Sequence, residues 1–563
     1  MGTTEVAGSS PVAPRRWVVL AVLCVSLLIV SLDNTILNIA LPTLVRDLHA
    51  SESNLQWIAD IYSCVFGGFL LVMGSVGDRV GRKRVFCTGL VIFAAGSAAS
   101  AFSATVNQLI AARAVMGFGA ACIMPATLSI LITVFRDPEQ QTRAIGFWSG
   151  TTGLGIAIGP IAGGWLLAHY WWGSVFLINV PVALLGLVAA LWLVPESKSA
   201  VPRPVDAPGA LLCTGGLALL LWSIIDMPTA GWHAGPVLLA GGVALVLLIA
   251  FVLWERHTPT PMLLLEPFGD RRFSVAMPAV ALAVFALMGS LFVLTQYLQF
   301  SLGFSAFGAG LRILPIAVVL AVAAPASSYL DRWLGTKVVI GTGLVLVACG
   351  LAQLTTTTTA EGFGHALIGM VLLGLGAGLI IAPGTASVMG SLPRDRAGAG
   401  AAMNGTALQV GGALGVAVLG SVLSSRYQSK MAPVLSAHAV PAVAAHAISS
   451  GIGGALAVAR IAGGELGAEL ADAARAAFVT GMDAALLVGA VVVAASAVLV
   501  LVALPARRRP QGRLASDPDP SPSSGRSALD LSSGDAETGH ELALGAPGSV
   551  ADARQVSEQG GTP

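Results

Sequence analysis

Asp33, Asp60 and Arg113 are the side chains best placed to do chemistry, because each carries a charge inside a long apolar run. A charge held away from water is costly, so one in such a run calls for a partner or a task. Asp33 falls seven residues before the end of the first run, about 10 Å in at 1.5 Å per residue. Asp60 lies five residues into the second run and Arg113 four into the fourth, so the three share a shallow depth beneath one face. Two carboxylates and a guanidinium there can form a buried network. Desolvation and a neighbouring arginine act in opposite senses on a carboxyl's proton affinity, which suits a group that exchanges a proton reversibly. The competing reading is that Asp33 and Arg113 only pin two helices together.

A second set of residues would move helices rather than protons. Between the second and third runs stands GSVGDRVGRKR, in which Gly74 and Gly81 permit close approach, Asp78 is acidic, and Arg79, Arg82, Lys83 and Arg84 are cationic. It reads as a latch, with Asp78 beside a helix end and the cations bridging neighbours or lipid phosphates; a plain basic loop is the alternative. The fifth run, GFWSGTTGLGIAIGPIAGGW, carries Gly146, Gly150, Gly153, Gly155, Gly159, Gly163 and Gly164 with Pro160. Glycines four apart let two backbones touch and a proline permits a bend, so this helix is expected to slide or flex. Gly89 belongs to no such array and is expected to be the less crowded position.

Neutral polar residues complete the inventory. Asn34, Asn38 and Trp57 flank the two aspartates, and Gln296, Gln299, Asn404 and Gln409 are the polar residues of the second half's runs; all seven are candidates to touch a substrate. That half carries Arg312 near one end of a run and no deep carboxylate, so any proton exchange falls to the first half. No GxxxxGK[ST] motif is present, which argues against ATP as the energy source. No nucleophile–base constellation or metal-ligand spacing appears, and the six cysteines lie singly in apolar stretches, so neither an enzyme, a metal nor a cofactor is expected.

The elements that must position these residues follow from composition. Of 563 residues, 55% are hydrophobic and 10% charged, with a mean hydropathy of +0.82. A soluble domain carries about 25% charged residues, so this chain is expected to be an all-α membrane protein. A net charge of +1 offers no basic surface for nucleic acid. With about 20 apolar residues needed per crossing, fourteen spans emerge: 17–40, 55–73, 85–102, 109–135, 142–168, 175–194, 208–225, 236–254, 273–300, 308–330, 338–354, 366–388, 400–423 and 482–504.

Arginine and lysine concentrate in alternate connections: residues 79–84, Arg136 with Arg143, Lys198 with Arg203, Arg256 with Arg271 and Arg272, Arg332 with Lys337, and Arg394 with Arg396. Arg15, Arg16 and Arg507–Arg509 put both termini on that side, which the positive-inside rule makes cytoplasmic. The chain then divides into a disordered N-terminus (1–16), a six-helix bundle (17–194), a linker with two extra helices (195–272), a second six-helix bundle (273–504) with a long external connection (426–480), and a disordered cytoplasmic tail (505–563). Asp78-Arg79 recurs as Asp331-Arg332, and Gly159 as Gly412, both 253 residues on, as two related halves would require.

At these motifs the sequence resembles the major facilitator superfamily, in particular its fourteen-span drug:proton antiporter branch of the EmrB/QacA type. The carriers of the resemblance are LDNTILNIALP around Asp33, QWIADIYS around Asp60, GSVGDRVGRKR, LIAARAVMGFGAA around Arg113 and GLGIAIGPIAGG in the fifth run. The resemblance implies a major-facilitator fold in a bacterial plasma membrane, with the proton gradient driving export of drugs, antibiotics or dyes. It implies a proton-transfer role for Arg113 and an antiporter role for Gly155, Gly159, Pro160, Gly163 and Gly164. Some members carry acids on the thirteenth span; here AAMNGTALQVGGALGVAVLGS has none, which favours neutral or monocationic substrates over dications. Lipids and protons are the other expected partners, and the monomer the expected unit. An uptake symporter of the same fold and a lipid-handling protein without solute turnover are the alternatives.

Overall fold

The computed structural model describes residues 13–505, apart from 136, 199–204, 232, 260, 264, 358–362, 392–396 and 438–439. Arg136, Arg203, Arg394, Arg396 and the expected tail lie outside the described residues, as does most of the expected disordered N-terminus. The helices are α1 Ala13–Leu48, α2 Glu52–Val80, α3 Arg82–Ala101, α4 Val106–Val134, α5 Pro138–His169, α6 Ser174–Leu177, α7 Asn179–Leu193, α8 Ala207–Ala230 and α9 Gly235–His257. They continue as α10 Arg271–Gln296, α11 Ala306–Leu334, α12 Thr336–Leu354, α13 Phe363–Gly390, α14 Ala397–Ala437, α15 Ala442–Ser449, α16 Ile452–Ala462 and α17 Gly464–Ala503. With α6 and α7 taken as one interrupted span, fourteen are long and apolar enough to cross a membrane, and the described residues form no strand. The protein is an all-α membrane protein.

Helix ends are written locally. The side chains of Ser51, Thr105, Asp137, Asp206 and Ser305 each accept from a backbone N–H three residues on, capping α2, α4, α5, α8 and α11. Gly81 (φ 130°) separates α2 from α3, and Gly335 (φ 82°) separates α11 from α12; at these positive φ values a side chain would be strained.

The packing repeats with the sequence. α5 and α7 lie on α1, α4 on α2 and α3, and α7 on α3; in the second set α14 and α17 lie on α10, α13 on α11 and α12, and α17 on α12. The sets meet through α5 on α11 and α14 on α2, while α9 pairs with α8 and α8 leans on α2 and α14. Small residues make this closeness possible. A Cβ on Gly155 would stand 2.5 Å from Ser31 Oγ, and one on Gly159 would run into Thr35, so α5 rides on the backbone of α1. In the second set Gly411 and Gly415, rather than Gly412, take the corresponding place against Ala281 and Phe285 of α10.

One end of the bundle is rich in arginine, with Arg79, Arg82, Arg84, Arg143, Arg256 and Arg332 at its connections; the other is the far end. Gly146, Gly150, Gly153 and Gly164 share one face of α5, within about 60° at 3.6 residues per turn. Near the far end that face presses on α11, where a Cβ on Gly164 would be 2.7 Å from Phe307 Cα. Toward the arginine-rich end Gly146, Gly150 and Gly153 meet nothing within 4 Å, so α5 and α11 diverge. The far end is also covered by α15 and α16: Tyr427 donates to Ile448 O at 3.0 Å, and Glu52 N to Ser450 O at 3.0 Å. The connection after α14 is therefore largely helical among its described residues.

Candidate functional site

Asp33 of α1 and Arg113 of α4 meet in the interior with no solvent exposure on either side chain. Arg113 Nη1 donates to Asp33 Oδ2, and Arg113 Nε donates to Ile58 O of α2 at 3.1 Å. The guanidinium carbon lies 4.3 Å from the centre of the Tyr62 ring, a cation–π contact that helps hold a desolvated charge. Asn179 Nδ2 donates to Asp33 Oδ1 at 3.1 Å and to Ser97 Oγ at 3.2 Å, and Ser97 donates on to Phe176 O at 2.7 Å. The carboxylate thus has a charged and a neutral donor, one on each oxygen. Arg113 Nη2 is left without a partner.

Asp60 is not brought into this network. It is 1% exposed, its Oδ2 has no hydrogen-bond partner, and among the described residues it forms no ion pair. Depth along the chain placed the three charges alike; azimuth around α2 separates them, because Ile58 turns its carbonyl toward Arg113 while Asp60 lies two residues further round.

On the opposite face of α1 from Asp33, where α1, α5, α10 and α11 converge, a narrow cleft is lined by Thr35, Asn38, Ile39, Pro160, Thr295 and Ile316 among others. Asn38 lies in this cleft and donates to Asn34 O at 3.3 Å. Elsewhere, Gln296 Nε2 donates to Glu52 Oε1 at 2.9 Å, and Gln299 Nε2 to Ile39 O at 3.0 Å, so both tie α10 and its continuation to the first set. Asn404 pairs with Thr385 of α13 at 3.3 Å, Gln409 packs on Gly67, and Trp57 lies against the cluster formed with α8. The seven polar candidates therefore occupy several places rather than one pocket. Arg312 is neutralised by no carboxylate among the described residues; its guanidinium lies 3.6 Å from the Phe304 ring centre.

The loop after α2 binds its own half together. Arg82 holds Asp78 Oδ1 at 2.8 Å and reaches α4 through Thr133 Oγ1 at 2.6 Å. Arg82 N donates to Ser197 O at 2.9 Å and Lys83 Nζ to Leu191 O at 2.8 Å, which ties the corner to the end of α7. Gly81 leaves room for the Glu196 carboxylate, Gly74 lies near Pro125, and Arg79 is exposed.

Residues 23–416 match the sequence profile of the Major Facilitator Superfamily. The chain belongs to that superfamily. Among major facilitator relatives it is 35% identical to the multidrug efflux pump LfrA of Mycolicibacterium smegmatis over 489 residues, 87% of this chain and 96% of LfrA. It is 33% identical to the tetracenomycin C resistance and export protein of Streptomyces glaucescens over 505 residues, 88% of this chain and 94% of that protein. Its fold is similar to a bacterial homologue of the human lysosomal transporter Spinster, solved inward-facing and unoccupied, with TM-score 0.62 at 18% identity over 88% of this chain and 98% of that one.

Three features of this major facilitator chain depart from expectation. Gly89 is crowded: a Cβ there would lie 2.7 Å from Cys122 Cβ and 3.0 Å from Gly119 O, because glycines on α3 and α4 interlock. The second half holds a half-buried acid, Asp483, near the midpoint of the 40-residue α17, with Oδ1 unpartnered. A ruler of about 20 residues starts that span at 482 and puts Asp483 at its edge. Asn179, Ser97 and Glu52 carry no signal in the sequence; the first two are neutral, and Glu52 reads as an ordinary first-turn acid after the cap Ser51.

Proposed function

We propose that this chain is a proton-coupled exporter of small lipophilic compounds, neutral or singly cationic, in a bacterial plasma membrane. The observation that carries the reading is the fully buried Asp33–Arg113 pair on one face of α1, with an apolar cleft at the junction of four helices on the opposite face of the same helix. A carboxylate whose partner is a fixed arginine can trade the arginine for a proton, and the trade changes what holds α1 to α4. The names of the relatives, a multidrug efflux pump and an antibiotic export protein, support the same reading.

The arginine-rich end faces the cytoplasm by the positive-inside rule, so both termini are cytoplasmic. The far end is then external, and the state described is closed outward, with α5 and α11 parted on the cytoplasmic side. Residues 17–194 and 273–504 act as two six-helix halves, and α8 with α9 as a flanking pair. Substrate reaches the cleft from the cytoplasm or inner leaflet, Asn38 gives it a polar contact, and apolar walls tolerate varied shapes. Dications are disfavoured because residues 400–423 carry no acid. The glycine faces of α5 provide the sliding surfaces, the Asp78–Arg82 corner keeps the first half rigid, and lipid phosphates meet the exposed arginines. The monomer is the transporting unit, and the proton gradient stands in place of a cofactor.

Everted vesicles from cells making the protein test this directly. A lipophilic monocationic dye should accumulate in energised vesicles and leak out when a protonophore is added. Uptake in the reverse sense, or accumulation indifferent to the protonophore, would refute the exporter reading.

A further inference from the structure

The side of α2 turned toward α10 and α14 carries a polar series that the Asp33–Arg113 pair does not use. Glu52, Gln56 and Asp60 recur at every fourth residue, so they share one face within about 80° and descend about 12 Å from the far end. Their exposures are 5%, 0% and 1%. Two polar contacts reach this series from the second set of helices: Gln296 Nε2 donates to Glu52 Oε1 at 2.9 Å, and Ser421 Oγ, whose proton goes to Ile224 O at 2.7 Å, lies 3.3 Å from the Gln56 amide. What sets the series apart is what it leaves unmet. Gln296 Oε1, Gln56 Nε2 and Asp60 Oδ2 are all buried and have no hydrogen-bond partner. Buried polar atoms nearly always have one, and two exceptions on one face of α2 with a third facing them from α10 are the mark of groups met by water or by a moving proton.

We propose that Glu52, Gln56 and Asp60 form a proton path from the far end to Asp60, with Glu52 as its mouth; this rests on the proton-coupled reading above. When the two sets of helices part at the far end, Glu52 loses Gln296 and its carboxylate takes a proton from bulk water. That proton passes along water bridging Gln56 to the Asp60 carboxylate, which becomes neutral, and Glu52 returns to its anion. One proton moves inward and no other reactant is consumed. When the sets close again, Gln296 and the α15–α16 segment, held to Glu52 N through Ser450 O, cover the mouth. The charged and titratable groups around the path are few. Cys64 of α2 lies by Asp60 with Cys213 of α8 next to it, Tyr427 of α14 is engaged with Ile448 O, Asp226 sits at the end of α8, and Arg46, Asp47, His49 and His446 are exposed at the rim. Arg113 is committed to Asp33. Among the described residues neither Glu52 nor Asp60 has a cation of its own, so nothing holds their charges fixed.

The test uses the full chain in proteoliposomes with a pH-sensitive dye, reading proton movement evoked by substrate beside substrate–substrate exchange. Glu52→Gln and Gln56→Leu should each lower substrate-evoked proton movement at least tenfold while exchange stays within twofold of native. Glu52→Asp should restore part of the proton movement with an altered pH profile, and Ser421→Ala should lower it about threefold. Native proton movement in Glu52→Gln and Gln56→Leu would overturn the path while leaving coupling intact. A native protein that moves no proton with substrate would remove the coupling reading itself. Should Glu52→Gln fail to fold, native proton movement in Gln56→Leu and Ser421→Ala would overturn the path by itself.

Discussion

Removing the charge of Asp33 should separate coupling from folding, and the structure sets the size of each effect. Asp33→Ala strands a guanidinium that has no solvent exposure, leaving it Ile58 O and the Tyr62 face. Breaking one partner of a buried pair costs about 3–5 kcal/mol, and insertion scales give about 2.5–3.5 kcal/mol for an unpaired arginine within a span. The two figures converge near 3 kcal/mol. Asp33→Asn keeps an acceptor for Arg113 but turns a charge-assisted bond into a neutral one, a loss of about 1–2 kcal/mol. It also removes the only proton-exchanging atoms at the site. The expected result is a folded protein that binds and exchanges substrate but performs no efflux driven by a pH gradient. Stability read by unfolding in detergent should show coupling: Asp33→Asn and Arg113→Gln together should cost about 2 kcal/mol less than the sum of the singles. Gradient-driven efflux at native rate in Asp33→Asn would refute the mechanism. Additivity within about 0.5 kcal/mol would refute the pairing.

Other expectations follow from the packing and the charge pattern. Gly159→Ala, which drives a methyl into Thr35, should cost about 1–3 kcal/mol of stability, whereas Gly150→Ala meets nothing within 4 Å and should be neutral or gain up to about 1 kcal/mol; thermal unfolding of the two in detergent compares them. Gly89→Leu should be as damaging as Gly159→Leu, because it forces apart α3 and α4; a mild effect at equal expression would contradict the interlock. Reporter fusions after residue 504 and within 426–480 should report opposite sides of the membrane, and a shared side would overturn the assigned orientation. Arg82→Ala removes the links to Asp78, Thr133 and Ser129, so transport should fall severalfold while dye binding persists; unchanged transport would reduce the corner to a plain basic loop.

The parts of this protein that could be read from sequence are those where physics acts on one residue type at a time. A bilayer excludes charge, so Asp33, Asp60 and Arg113 announced themselves by contrast with their neighbours, and Asp33 and Arg113 do meet. Glycine at four-residue spacing marks a helix that another backbone touches, and Gly155, Gly159 and Gly163 do lie on α1. What a single helix cannot show is azimuth relative to a partner not adjacent in sequence. Asp60 lies two residues from Ile58, yet faces away from Arg113, and only the packing of α2 between α4 and α14 decides this. The same limit hid Gly89, whose partner Gly119 sits thirty residues on in α4, and divided the seven glycines of α5 between α1, α11 and open space. Asn179 escaped for a different reason: it is neutral, at the break between α6 and α7, and nothing in its composition reveals that it completes the Asp33 site. Charge identifies where a membrane protein can do chemistry, while neutral donors such as Asn179 and Gln296 determine which charges act together. On α1 and α2 this produces two carboxyl systems that look alike in sequence: Asp33, fully engaged with Arg113 and Asn179, and Asp60, with an oxygen left unmatched. An engaged carboxylate must break contacts before it can accept a proton, and an unmatched one need not. In the coupling proposed above, that difference would make Asp33 the group whose protonation changes helix contacts, and Asp60 the one that holds a proton while those contacts stand.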